Sequence, residues 1–242
     1  MTTTLIEGIV FDKDGTLTDY HATWSPVNER AARRAASGDA ALAAHLLEIG
    51  GRDADTGRVR GGSLLAAADT REIAEAWVAA GAVHEVTALE HALDEIFQEG
   101  AECAVPVTDI DALFQRLQLR GMALGVATSD SESGARATLR RLGVNAERFF
   151  VAGYDSGHGR KPSGGMVEAF CANNGLSPSK VVVVGDNLHD IRMGRSAGCV
   201  LCIGVLTGAA DAEELGAEAD YVIDSVARLE SLLDGLRKPG RG

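Results

Sequence analysis

Two different rhythms of apolar residues run along the chain. Leu5 to Phe11 is a short apolar run carrying the β-branched Ile6, Ile9 and Val10, and it leads directly into Asp12-Lys13-Asp14-Gly15-Thr16. A run too short for a helix and closed by a glycine turn predicts a buried strand entering a tight loop. From Trp24 to about Glu99 the rhythm changes. Ala, Leu, Glu and Arg dominate there, β-branched residues thin out, and glycines punctuate at Gly50-Gly51, Gly61-Gly62, Gly81 and Gly100. That composition predicts about four helices, one capped by Ser63 and one amphipathic from Val86 to Phe97.

Beyond Ala101 strands and helices alternate. Helices are expected at Asp109 to Arg120, Ser133 to Leu142, Gly165 to Asn174 and His189 to Ala197. Strands are expected at Met122 to Thr128, Phe149 to Ala152, Val181 to Val184, from Cys199, and at Tyr221 to Ile223, before a last helix. This alternation implies right-handed crossovers and a parallel sheet covered by helices, an α/β fold of Rossmann-like type. The helical block interrupts it after the first strand. The expected organisation is therefore a core of residues 1–18 and 102–242 and an inserted all-helical cap of residues 19–101. Ligands of open α/β sheets bind outside the carboxyl ends of the strands, so an insertion at that edge is placed to act as a lid. No internal repeat is visible, and the polar tail after Asp234 is expected to fray.

Charge narrows the class of partner. Lys and Arg number 23 against 35 Asp and Glu, a formal net charge of −12. Nucleic acid and anionic membranes are thereby disfavoured as general partners. With no basic-plus-apolar leader and no apolar run of roughly eighteen residues, neither secretion nor membrane spanning is supported. Cys103, Cys171, Cys199 and Cys202 are too scattered for a disulfide framework, which suits a reduced cytoplasm. Cys199 and Cys202 have the spacing of a redox or metal half-site. Strand alternation would turn them to opposite faces, however, and buried core is the expected role.

The candidate chemistry sits at the strand ends. Asp12 and Asp14, two apart on one loop, can divide labour: one carboxylate attacks while the other moves a proton at the leaving oxygen. A calcium loop of EF-hand type would need glycine sixth and an acid twelfth, whereas here glycine is fourth and the twelfth residue is Thr23. Thr128-Ser129 ends the next strand with a hydroxyl and amides at a helix start, suited to a phosphate oxygen. Lys161, in Arg160-Lys161-Pro162, is the candidate for neutralising charge, since Lys180 precedes its strand and belongs at the opposite sheet edge. Asp186 and Asp190, after a run of four valines, supply the hard oxygen ligands that magnesium favours.

In this order and at these positions, the four features resemble the haloacid dehalogenase-like hydrolases over nearly the whole chain. Gly194-Arg-Ser-Ala-Gly198 also looks like the phosphoglycolate phosphatase-like branch with a helical cap. The resemblance implies that Asp12 is a nucleophile and a magnesium ligand. Asp14 is then the general acid/base, ligating through its carbonyl, and Thr128 and Lys161 hold the phosphoryl group. Asp186 ligates Mg2+, supported by Asp190 with Asn187. The implied activity is a Mg2+-dependent phosphatase for a small phosphorylated metabolite, working through an aspartyl-phosphate as a monomer or homodimer. Asp14 argues against the dehalogenase branch, which needs no proton donor. The absence of lysine from Asp19 to Gly100 argues against a Schiff-base phosphonatase. A sugar-phosphate mutase using the same core residues and a non-catalytic phosphate-binding module stay open.

His21, His158 and His189 lie near these loops, but the implied chemistry needs no histidine. Trp24 and Trp77 are expected in the cap core. Arginine is the only permanent cation of the cap, so Arg58 and Arg60, on a turn before the helix that starts near Ser63, are candidates for a substrate carboxylate.

Overall fold

In the computed structural model of the chain, residues 6–101 and 103–237 are described. The chain forms two compact units, one of residues 1–19 with 106–242 and one of residues 20–105. The expected start of the first strand at Leu5 lies outside the described residues, as does the tail beyond Arg237. The strand itself is shorter than expected and begins at Gly8.

The larger unit is built on six parallel strands: β1 (Gly8–Phe11), β2 (Ala123–Ala127), β3 (Phe150–Ala152), β4 (Val181–Gly185), β5 (Leu201–Val205) and β6 (Tyr221–Ile223). Their order is β3-β2-β1-β4-β5-β6, which places β1 between β2 and β4. Ile9 and Phe11 pair with Leu124 and Val126 on one side and with Val182 and Val184 on the other. Side-chain alternation sends these rows to one face, against Leu113 and Phe114, Leu139, and Leu229 and Leu233. Val10, Val181 and Val183 point to the other face, where Met166, Val167, Phe170 and Met193 cover them. A sheet packed on both faces needs near-continuous apolar strands, which is why β4 reads as four valines in a row.

The smaller unit, taken by itself, holds five helices among the described residues: α1 (Tyr20–Ala35), α2 (Ala40–Ile49), α3 (Leu64–Ala67), α4 (Thr70–Ala79) and α5 (Val86–Ala101). Trp77 is fully buried among Ala31, Leu46, Ile73, Leu89 and Leu93, while half-buried Trp24 meets Phe97 edge-on with centroids 6.2 Å apart. Ser63 precedes α3 but makes no capping hydrogen bond; α3 has a single turn, and the Ser63 hydroxyl is buried without a partner. The capping boxes in the described chain belong elsewhere, to Asp69 with Glu72 at α4 among others. No described helix is long and apolar enough to cross a membrane.

The remaining helices belong to the larger unit: α6 (Ile110–Leu119), α7 (Glu132–Arg141), α8 (Gly165–Asn174), α9 (Leu188–Ala197), α10 (Ala212–Gly216) and α11 (Leu229–Arg237). The segment expected to fray after Asp234 is still helical as far as Arg237. Cys199 precedes β5, so strand alternation does not govern it. Both Cys199 and Cys202 border one cluster with Ile191, Ala210 and Leu215, rather than opposite faces. Burial pushes the Cys199 thiol up to about 12 and the Cys202 thiol up to about 11, leaving both as protonated apolar filler.

Candidate active site

Every strand in a parallel sheet releases its chain at the same edge. Asp12 therefore leaves β1 beside the residues that leave β2, β4 and β5. The Asp12 amide donates to the Val184 carbonyl at 2.8 Å, continuing the ladder one residue past the strand and fixing where the carboxylate starts. Gly15 turns the loop with φ +82, and a Cβ there would lie 2.5 Å from the Asp186 carboxyl carbon. Only glycine permits both the left-handed turn and that approach.

Three carboxylates converge. Oxygens of Asp12, Asp186 and Asp190 lie within 4.8 Å of one another, and all three side chains are buried. One cation enters the group: Lys161 Nζ donates to Asp12 Oδ1 at 2.5 Å and to Asp190 Oδ1 at 2.5 Å, with its side chain 3% exposed. Asp190 is further held by the Asn187 amide, 3.1 Å from its Oδ2. Asp186 Oδ2 accepts from the Ala209 amide at 3.1 Å.

Burial pushes the Asp12 carboxyl up to about 7 despite the opposing pull of Lys161, and Asp190 adds to the rise. Asp186 is raised well above the usual carboxylate range, first by burial and then by Asp12 and Asp190. Lys161 is held above its ordinary value by Asp12 and Asp190, which overcome its desolvation. Fully ionised, three carboxylates against one ammonium would leave two negative charges unmatched in a low-dielectric site, which is why these carboxyls resist ionisation without a cation. Hard oxygen donors that would carry that deficit fit a divalent cation.

A second buried lysine went unnoticed in the sequence. Lys13 is 1% exposed and pairs with Asp14 Oδ2 at 2.5 Å and Asp130 Oδ2 at 3.4 Å. These partners hold its ammonium above the ordinary value against desolvation. The Asp14 Oδ1 accepts from the Thr18 hydroxyl at 3.3 Å. Its position was the available signal, since a lysine between two acids in a loop that plugs the sheet edge has little path to solvent.

Thr128 and Ser129 follow β2, yet neither caps α7; Ser131 does, accepting from the Gly134 amide at 3.1 Å. Buried Thr128 donates its amide to the Ala152 carbonyl at 3.0 Å, and its Oγ accepts from the Asp130 amide at 3.1 Å. Ser129 is exposed. The pair Arg160-Lys161 separates: exposed Arg160 lies over the Tyr154 ring at 5.3 Å while Lys161 turns inward. His158 is exposed and His21 and His189 are half-buried.

Arg58 and Arg60 belong to the helical unit and are exposed. Their backbones form a turn in which the Asp53 amide donates to the Arg58 carbonyl at 2.8 Å and the Arg60 amide to the Gly51 carbonyl at 3.0 Å. The helix that follows, α3, has four residues, too short to add a dipole of consequence to these cations.

The loop after β5 also contributes and was missed. Thr207 Oγ1 donates to the Gly15 carbonyl at 2.6 Å, and a Cβ on Gly208 would come within 1.7 Å of Asp186 Oδ2. Thr207-Gly208-Ala209 thus clamps both the first loop and Asp186. A polar residue and a glycine directly after an apolar strand was the signal, the same one that marks Asp12.

An aspartate at the end of the central strand and acids at the end of its neighbour thus gather at the carboxyl edge of the sheet, where open α/β sheets bind their ligands. Residues 6–198 match the family of haloacid dehalogenase-like hydrolases, and the chain belongs to that family. It is 34% identical over 127 residues to a phosphoglycolate phosphatase of Chromobacterium violaceum, covering 52% of this chain and 54% of the relative. It is 27% identical to an N-acetylmuramic acid 6-phosphate phosphatase of Pseudomonas aeruginosa over 234 residues, 95% of each. The chain covers 60% and 54% of the length of the first curated relatives it matches. The crystal structure of CbbY from Rhodobacter sphaeroides in complex with phosphate superposes with a TM-score of 0.64 at 23% identity, covering 93% of this chain and 96% of that one. That likeness establishes the shared fold.

Proposed function

We propose that this chain is a Mg2+-dependent phosphatase that hydrolyses the monoester of a small phosphorylated metabolite of the phosphoglycolate class through an aspartyl-phosphate on Asp12. The reading rests on one observation above the rest: Asp12, at the end of the central strand, shares a buried lysine with Asp190 beside Asp186. The names of the curated relatives, a phosphoglycolate phosphatase and an N-acetylmuramic acid 6-phosphate phosphatase, support a small phosphorylated metabolite as substrate.

Asp12, Asp186 and Asp190, with the Asp14 carbonyl, would hold the magnesium. When bound, the ion supplies positive charge that offsets the repulsion between Asp12 and a phosphate dianion. Lys161 supplies further charge at Asp12 Oδ1 and restrains the nucleophile. Asp12 Oδ then attacks phosphorus while the bond to the ester oxygen breaks. Asp14 gives its proton to the departing alkoxide, and the same carboxylate takes one from the water that cleaves the aspartyl-phosphate. The Thr128 hydroxyl, already accepting from Asp130, has its proton for a phosphoryl oxygen. Inorganic phosphate leaves and Asp12 is regenerated.

Asp12→Asn tests this, because the amide keeps the shape but is neither nucleophile nor anionic ligand. The variant should still fold and unfold cooperatively but lose turnover on an aryl phosphate, and wild type treated with a chelator should lose turnover until magnesium is returned. Undiminished turnover in the variant, or a trapped phosphoryl group on another side chain, overturns the reading.

A further inference from the structure

Lys13 is the buried charge that the chemistry above does not use. Its ammonium has two acidic partners, one on each of two loops: Asp14 after β1 and Asp130 after β2. Asp130 is itself immobilised. Its Oδ1 accepts from the Ser131 amide at 2.6 Å, its carbonyl accepts from the Tyr154 amide at 3.0 Å, and its own amide donates to Thr128 Oγ1 at 3.1 Å. A position that needed only volume would be filled by Met or Leu without desolvating an ammonium. A lysine strung between two carboxylates ties the loop bearing Asp14 to the loop bearing Thr128.

We propose that Lys13 is the positioning residue for Asp14, anchoring its carboxylate to Asp130 so that proton donor and phosphoryl-holding loop keep one fixed spacing. The inference rests on the proposed role of Asp14 as acid and base. Among the described residues the ion pairs of Lys13 run to Asp14 and Asp130, and Asp12 adds a smaller attraction to its ammonium. Its contacts run through Asp14, so its main effect falls on the step in which the leaving oxygen needs a proton. Misplacement of such a group by about an ångström costs up to roughly a hundredfold in rate.

Lys13→Met keeps the length and the burial and removes the ion pair. On an alkyl phosphate, whose leaving group depends on the proton, kcat should fall by about 10- to 100-fold. On a nitrophenyl phosphate, which departs unaided, kcat should fall less than about threefold, and KM for either ester should change by less than about twofold. Added to Asp14→Asn, the Lys13→Met change should cost nothing further, because a positioning residue has nothing left to position. If Asp14→Asn alone loses rate equally on both esters, the acid–base reading fails on its own. If Asp14→Asn is selective but Lys13→Met slows both esters equally, or its loss multiplies with that of Asp14→Asn, the lysine is part of the folding framework and the inference falls. Should Lys13→Met not fold, Asp130→Asn cuts the anchor while leaving the Lys13–Asp14 pair. It should show the same selective loss on the alkyl ester, and equal rates for wild type and variant overturn the proposal.

Discussion

Metal-free protein should lose stability as pH rises towards neutrality, with Asp12 as the cause. Folded, the Asp12 carboxyl sits at about 7, with burial the largest contribution; its ordinary value is 3.8. Between those values the native state keeps a proton that the unfolded chain has released. The stability it brings is complete below about 3.8 and is lost as pH rises through about 7, at about 1.4 kcal/mol per pH unit. From about pH 5.5 to about pH 7 the loss approaches 2 kcal/mol, or roughly 4–8 °C in melting temperature for a chain of this size. Asp186, raised in the same direction, steepens the slope. Melts in chelator across that window, wild type beside Asp12→Asn, isolate the effect because the amide does not titrate. With magnesium present the slope should flatten or reverse, since binding tightens as the carboxylates ionise and the bound ion stabilises the native state. Parallel pH profiles for wild type and Asp12→Asn in chelator would refute the argument that burial holds Asp12 protonated.

Gly208→Ala should displace Asp186 and weaken magnesium binding roughly 10- to 100-fold, read by titration calorimetry, while the protein stays folded. Lys161→Met leaves buried acids without their cation and should cost about 3–5 kcal/mol in urea unfolding at neutral pH, together with activity. Arg58→Ala or Arg60→Ala should raise KM for carboxylate-bearing phosphates by tens of fold, about 2 kcal/mol, and leave a neutral aryl phosphate unchanged, as steady-state kinetics on both esters would record.

The sheet was legible because its strands are buried on both faces, and an apolar run such as Val181 to Val184 has few other homes. Positions at strand ends were legible for the same reason: once β1 ends at Phe11, the next residue must stand at the sheet edge. Which side chain turns inward there was harder to read. Arg160 and Lys161 looked like a pair, and only the structure separates a ring-stacked arginine from a buried lysine. For Lys13 the place between two acids at the sheet edge hints at burial, but its second partner, Asp130, is far off in sequence and only the fold brings it near. Ser63 shows the opposite error. Its residue type suits a cap, but α3 is a single turn whose first amides find no side-chain acceptor there. The five-residue α10, capped by Asp211 and Glu214, is too brief for apolar periodicity to register.

The neck of the inserted segment has a thermodynamic consequence for the sheet. Thr18 bridges Pro106, and the Val107 amide donates to the Leu17 carbonyl at 3.1 Å, so the chain leaves β1 and returns towards β2 through one closed gate. On the helical side Val105 is stapled to Thr23 Oγ1 at 3.0 Å. Once the gate is shut, β1 and β2 register as parallel neighbours joined by a crossover through α6 alone. Lengthening the excursion adds only the logarithmic closure entropy, about 0.6 kcal/mol for each doubling. Insertions of very different size are thus nearly interchangeable from the standpoint of the sheet, and selection is free to change residues 20–105 without renegotiating the strands that carry Asp12.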